Sequence, residues 1–431
     1  MPKSAPFLLF SNTFRTATYF LLLASSLVLL GSTEAHAANG TWTSPNGGLY
    51  YTTTNWSGNT VASGGVATFS NSGPGTVTIN GGLALTGVTF NSNASAYTIA
   101  ANSGFYLQSD NAGMVIQTTG TGANSQNFSS AVYLRGGATG VTFTSDYTTS
   151  SKALNFSGNV LGNANGTNVL TLNGANTGAN TVSGIISNTT GTTALVKSGT
   201  GNWIASGNNT YTGTTSVNGG QLLVTGTTTG GGLYTVSGGR LGGAGGTIGA
   251  AGVTVTATAG SGINVSGAGL GSVGSQNGLV APGTLSLNLG ANSLNISNAG
   301  ATSLTFVLKA PGTSDQVRIT SGTLNIGSGV LNLSKFNFDI SNWTDSSSGT
   351  YILFATPSSL GITGTLASTG LTGTLGGHAV TLSKATDGSG FADIQLTVAA
   401  VVVPEPSTTA LVAVGIAGCL VAAYRRQTRL S

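Results

Sequence analysis

"LVKSGTGNWIASGNNTYTGTTSVNGGQLLVTG" occupies residues 195–226. Apolar and polar residues alternate along it, which sends successive side chains of an extended chain to opposite sides. Leu195, Trp203, Tyr211 and Val217 share an odd-numbered phase, but after Gly219-Gly220 the apolar positions are even, at Leu222 and Val224. A one-residue slip moves every side chain to the other face, so the Gly pair must hold a turn or a bulge. A chain that turns a corner every few residues builds a coil. The stretch therefore predicts stacked parallel coils over 190–335, with Leu195, Tyr211, Val217 and Leu222 directed inward.

The same texture extends outward from this stretch. "GTVTING" (75–81), "NVLTLNG" (168–174), "GVTVTAT" (252–258), "TLSLNLG" (284–290) and "GTLNIGSGVLNLS" (322–334) alternate in the same way between Gly and Asn turn signals. Charged residues are only 5% of the 431, while 39% are apolar and 69 are Gly. Thr, Val, Tyr and Phe with frequent turn residues describe an all-β chain. Coils of about 22 residues, stacked about 4.8 Å apart, would number about 16 and form a rod about 75 Å long. Stacking puts like residues above one another, where Lys or Glu would repel and Asn, Thr and Val pair well. That accounts for the low charge.

The basic balance of the whole chain is a property of its ends. Between residues 38 and 402 there are eight Lys and Arg, seven Asp and no Glu, a net charge of +1. Such a body lacks the clustered cations that nucleic acid requires. Cys419 is the single cysteine, so the body has no disulfide, thiolate metal site or cysteine nucleophile.

Lys3 and Arg15 precede the apolar run "YFLLLASSLVLL" (19–30), and Ala35-His36-Ala37 follows as a small-x-small pattern. This is the form of a secretory signal peptide cut after Ala37, at residues 1–37. At the other end, the mostly apolar run Thr408–Tyr424 just reaches the short limit for a membrane-spanning helix. Arg425, Arg426 and Arg429 follow it and would remain on the cytoplasmic side. Pro404-Glu405-Pro406 would then lie on the outer face, held extended by its two prolines and open to a protease.

This tail resembles the PEP-CTERM sorting signal of Gram-negative bacteria. The resemblance rests on Val403, Pro404, Glu405, Pro406 and Ser407, the apolar run, and the terminal arginines. It implies a transient inner-membrane anchor, recognition by a membrane-embedded exosortase, and release to the cell surface or an exopolysaccharide matrix. Residues 195–226 look like the autotransporter-associated β-strand repeat. The matching positions are Leu195, Lys197, Gly199, Gly201, Gly207, Asn209, Tyr211, Gly213, Thr215, Val217, Gly220, Leu222 and Val224. This second resemblance implies a right-handed parallel β-helix. The expected organisation is a signal peptide (1–37), an N-terminal cap and β-rich region (38–190), a β-helix (191–335), a C-terminal β region (336–402) and the sorting segment with its transmembrane helix (403–431).

Candidate chemistry is sparse. "GLGSVG" (269–274) fits the dinucleotide pattern G-x-G-x-x-G, but no helical pattern follows it, as such a site would need. His378 is the only His of the body, without a nucleophile-elbow motif, and reads as a surface or turn residue. Polysaccharide hydrolases need a carboxylate pair at a defined separation. Asp339 and Asp345 flank "ISNWT" and could meet, yet Asp favours turns. Trp42, Tyr50, Tyr51 and Trp56 cluster near the mature N-terminus, either as a sugar-stacking face or as the cap a solenoid needs. The expectation is a non-enzymatic surface or matrix rod, structural or adhesive, without cofactor or metal. A carbohydrate-active β-helix enzyme and an autotransporter passenger-like adhesin are the alternatives.

Overall fold

A computed structural model describes residues 37–110, 113–122, 124–135, 139–256, 261–267, 282–341, 343, 348–358, 361–386, 390–400, 417, 419, 421, 422 and 425. The signal peptide, the "GLGSVG" segment, Asp345 and the Pro-Glu-Pro motif lie outside them.

The fold is all-β and its long sheets are parallel, an arrangement consistent with a β-helix or solenoid. Three strands per turn are clearest downstream of the quoted stretch. Asn208–Asn209 pairs in parallel with Thr227–Thr228 and that with Thr247–Gly249. Thr215–Val217 pairs with Tyr234–Val236 and then Val253–Val255. Gln221–Val224 pairs with Arg240–Gly242 and then Gly262–Asn264. The first two faces merge into one sheet of 23 strands, and the third face is a separate sheet of 12. The merging is done by long strands such as Thr284–Asn295, which pairs at one end with Thr247–Gly249 and at the other with Val253–Val255.

The parallel pairing is not confined to 191–335. It begins with Ala38–Trp42 against Gly64–Phe69 and continues without a break through residue 190, where Val160–Asn173 lies along Ile186–Lys197. It ends with Gln316–Leu331 against Ile362–Leu366. Coil length varies more than the sequence suggests. Gln221 sits over Arg240 in a short coil, whereas Ile263 sits over Leu304 in a much longer one. Among the described residues the third face has 12 strands, fewer than the roughly 16 coils expected.

Like residues lie in register inside the stack. Phe69 pairs with Phe90 and Phe128 with Phe156, with ring centroids 5.2 and 4.8 Å apart. The N-terminal aromatics form a cap: Trp42, Tyr50 and Trp56 are buried, and the two indoles meet edge to face at 5.2 Å. Trp56 donates its indole N–H to the Tyr50 carbonyl at 2.7 Å, and Tyr50 its hydroxyl to that of Ala62 at 3.0 Å, so burial leaves neither polar group unsatisfied. Tyr51 is only half-buried.

At the far end the pairing becomes antiparallel. Thr372–Leu375 and His378–Thr386 form a hairpin around Gly376-Gly377, both at positive φ as a tight hairpin turn requires. Ala392–Val398 joins this hairpin to Gly349–Ala355, which is itself parallel to Gln316–Leu331. This meander spans residues 349–398. Of Thr408–Tyr424, only Ala417, Cys419, Val421 and Ala422 are described; they are helical and exposed, as is Arg425 beyond it. Among the described residues no helix is long and apolar enough to cross a membrane.

Candidate functional site

The coil formed by 195–226 behaves as its alternation predicts. Leu195, Tyr211, Val217 and Leu222 are all buried. The phase change at Gly219-Gly220 is a corner: Thr215–Val217 belongs to one sheet and Gln221–Val224 to the other. Gly220 has φ +56°, and a Cβ there would lie 2.2 Å from the Gly201 carbonyl oxygen of the preceding coil. Gly199 turns the equivalent corner one coil earlier at φ +65°. Gly213 is needed for closeness alone, since a Cβ would meet the Thr193 carbonyl oxygen at 2.3 Å.

The polar repeat positions serve backbone groups that coil stacking buries. Asn209 accepts from the Ile186 N–H at 2.9 Å and donates to the Gly207 carbonyl at 3.0 Å. Tyr211 shares hydrogen bonds with the hydroxyls of Thr215 (2.8 Å) and, one coil on, Tyr234 (2.9 Å). Lys197 shares the odd phase of Leu195 and is likewise wholly buried. Its ammonium donates to the carbonyls of Ser198, Gly199 and, in the next coil, Gly219, the last two at 3.1 Å. Burial pushes this ammonium down to about 7. The lysine ties two stacked corners together from inside.

Three of the described acids hold backbone groups. Asp315 is buried and receives the Ser266 hydroxyl (2.9 Å), the Val307 N–H (2.8 Å) and the Gly283 N–H (3.2 Å). Burial pushes its carboxyl up to about 6 against the opposing pull of these donors. It fastens three segments that are distant in the chain, a role the sequence could not assign. Asp339 accepts from the N–H of Ser341 just beyond it, as a turn aspartate does. Asp146 accepts from Ala175, one coil away. His378 begins a hairpin strand, as a turn residue would. It is not at the surface, however: its ring is buried edge-on to Trp343 and its Nδ1 lies 3.0 Å from the Ala399 carbonyl oxygen.

Among the described residues no three His, Cys, Asp or Glu are grouped to hold a metal. Arg318 and Asp393 share an open groove of about 330 Å³ beside the C-terminal meander, lined also by Gln316, Thr356 and Phe391 among others. Asp393 is the one acid among the described residues that line it.

A stack of parallel coils with an interlocked repeat, in a chain whose tail carries a proline-flanked acid before an apolar run, defines a class of exported repeat proteins. The comparisons agree with both parts. Residues 195–224 match the passenger-associated-transport-repeat, and residues 402–426 match the PEP-CTERM protein-sorting motif. Both resemblances seen in the sequence are thereby shown. The chain is 44% identical over 72 residues to the adhesin BmaC autotransporter of Brucella suis biovar 1 (strain 1330). That stretch is 16% of this chain and 2% of the adhesin. No solved structure matches the chain. A PEP-CTERM motif implies an exported protein of a Gram-negative bacterium, processed by an exosortase-type enzyme.

Proposed function

We propose that the protein is a non-enzymatic, surface- or matrix-directed β-helix rod with a structural or adhesive role. The observation that carries this reading is the order of parts: a continuous parallel stack from Ala38 onward, followed by a sorting motif at 402–426. Similarity of a short stretch to an adhesin supports the adhesive side. The coils wind right-handed, as connections between parallel strands of one sheet nearly always do. The signal peptide starts export. Thr408–Tyr424 then anchors the chain in the inner membrane, with Arg425, Arg426 and Arg429 inside, until an exosortase cuts near Pro404-Glu405-Pro406.

Replacing Pro404 and Glu405 with alanine tests the sorting step. The span keeps its hydrophobicity and still inserts, so the variant accumulates in the inner membrane with its tail attached while wild type appears shortened outside the cell. Both forms reaching the surface equally, each retaining 425–431 by mass spectrometry, would end this reading. Asp146, Asp315 and Asp339 serve backbone N–H groups, which supports a body without catalysis. Purified 38–402 is expected to release no reducing ends from polysaccharides; release abolished by Asp339→Ala or Asp345→Ala would reverse that.

A further inference from the structure

A small group of aromatics faces out of the stack instead of into it. Leu107–Ser109 and Val132–Leu134 are neighbouring strands of one face, and Leu107 and Val132 in them point inward. Tyr106 and Tyr133 lie on the opposite side of the backbone. Their rings stack with centroids 4.0 Å apart and 28° between planes, and both are only half-buried. Phe105 precedes Tyr106 in the chain and is 41% exposed, after a turn in which Gly104 has φ +82°. The buried aromatics of this chain fill its core; these three turn apolar area toward solvent.

The surroundings are polar and specific. Gln108, level with Tyr133, accepts from the Arg135 guanidinium at 3.2 Å, and Arg135 is itself exposed. The coil before carries small residues at this level, with Tyr51 reaching across them. Leu83 pairs with Leu107, which places Gly82 opposite Tyr106, and a Cβ on Gly82 would meet nothing within 4 Å. That glycine adds no side chain beside Tyr106, and its carbonyl accepts from the Tyr51 hydroxyl.

We propose that this column is a binding platform for an acidic polysaccharide lying along the rod. Pyranose rings present apolar C–H faces that pack on aromatic faces, while their hydroxyls need hydrogen-bond partners such as Gln108. The guanidinium of Arg135 matches a sugar carboxylate in a planar, two-pronged fashion, which selects an acidic chain over a neutral one. Coils succeed one another at about 4.8 Å, so a chain lying along the rod crosses the exposed edges of both stacked rings. The inference rests on the reading of the protein as a surface or matrix rod, and names where such a rod would hold its matrix.

The test is native electrophoresis of the protein as exported and trimmed by the cell, through gels containing polygalacturonate or dextran. Polygalacturonate slows the wild type and dextran does not. The double variant Tyr106→Ala/Tyr133→Ala weakens apparent affinity by at least about tenfold, with circular dichroism unchanged and the melting midpoint lowered only slightly by loss of the ring pair. Arg135→Gln removes the salt-sensitive part of the retardation, and Arg135→Lys restores only part of it. Retardation that survives the double variant, no retardation of wild type, or equal retardation by dextran overturns the platform. So does a double variant that changes only sedimentation, since the stripe would then join rod to rod. A correctly exported and trimmed protein that ignores polygalacturonate sinks the platform and leaves the sorting reading intact; an untrimmed, membrane-held wild type sinks the latter.

Discussion

Alanine at Gly220, Gly213 and Gly231 separates two reasons for a glycine within neighbouring coils. Gly231 has φ +79° but open space around it, so alanine there meets only the left-handed backbone penalty, about 1–2 kcal/mol. Gly213 has no such φ, but its Cβ would press to 2.3 Å from a carbonyl oxygen and 2.7 Å from the carbonyl carbon of Thr193. Those are backbone atoms that cannot rotate away, so the coils must part, at about 1–3 kcal/mol by analogy with overpacked cores. Gly220 combines φ +56° with contacts of 2.2 Å to Gly201 O and 2.8 Å to the Lys197 ammonium. The two penalties together give about 3 kcal/mol or more.

Repeat stacks lose stability locally, so the readout must be local too. Trp203 pairs with Leu222, and its indole donates to the Asn173 carbonyl at 2.9 Å, which makes it a reporter for this coil. With Trp42, Trp56 and Trp343 replaced by Phe, fluorescence in a urea titration follows the coil alone. The expected order of midpoints is wild type, then Gly231→Ala, then Gly213→Ala, with Gly220→Ala lowest. A Gly220→Ala midpoint at or above that of Gly231→Ala would refute the account of the corner.

Two predictions concern pH. The Asp315 carboxyl is held near 6, above its unfolded value, so its protonated form favours folding. That stabilisation is complete below about pH 4 and is lost as pH rises through 6, by up to about 3 kcal/mol. Asp315→Asn should flatten urea midpoints between pH 4 and 7, and an unaltered slope would count against its burial. Lys197 is the opposite case: its ammonium titrates near 7 when folded and near 10.5 when unfolded. The unfolded chain holds the extra proton between those values, so stability should rise from pH 7 to 10. Lys197→Met should abolish that rise; a wild-type midpoint that falls over the range would contradict it.

The corner at Gly219-Gly220 is legible in the sequence because a phase flip is a local signal and the apolar positions on both sides are unambiguous. So are the inward side chains of that coil and the C-terminal sorting motif. Coil number is not, because coil length depends on insertions such as the one between Ile263 and Leu304, which carry no period. The reach of the stack upstream of residue 190 is hidden for the same reason: Asn127 and Asn155 pair from one coil to the next at a spacing no alternation marks. Lys197 carries a signal in its odd phase, but nothing local shows that three carbonyls wait for it. The outward stack of Tyr106 and Tyr133 is invisible, since the two belong to different coils and meet only through coil register.

The scarcity of charge follows from the same register. Outward positions of adjacent coils are as closely coupled as inward ones, and the bonds between them are those of neutral groups. Asn155 donates to Asn127 at 3.1 Å, Gln117 to Thr89 at 3.2 Å, Ser198 to Asn173 at 3.1 Å and Ser237 to Asn218 at 3.0 Å. Each pair joins one coil to the coil before it. An amide or hydroxyl both gives and accepts, so it can serve the coil above and the coil below at once. An ammonium only gives and a carboxylate only accepts, and like charges one coil apart repel. Two of the buried charges, Lys197 and Asp315, are met chiefly by backbone groups, with one hydroxyl at Asp315. Composition, coil register and the near-neutral surface are therefore one constraint, and it sets an exposed cation such as Arg135 beside a neutral partner, Gln108, in the neighbouring coil.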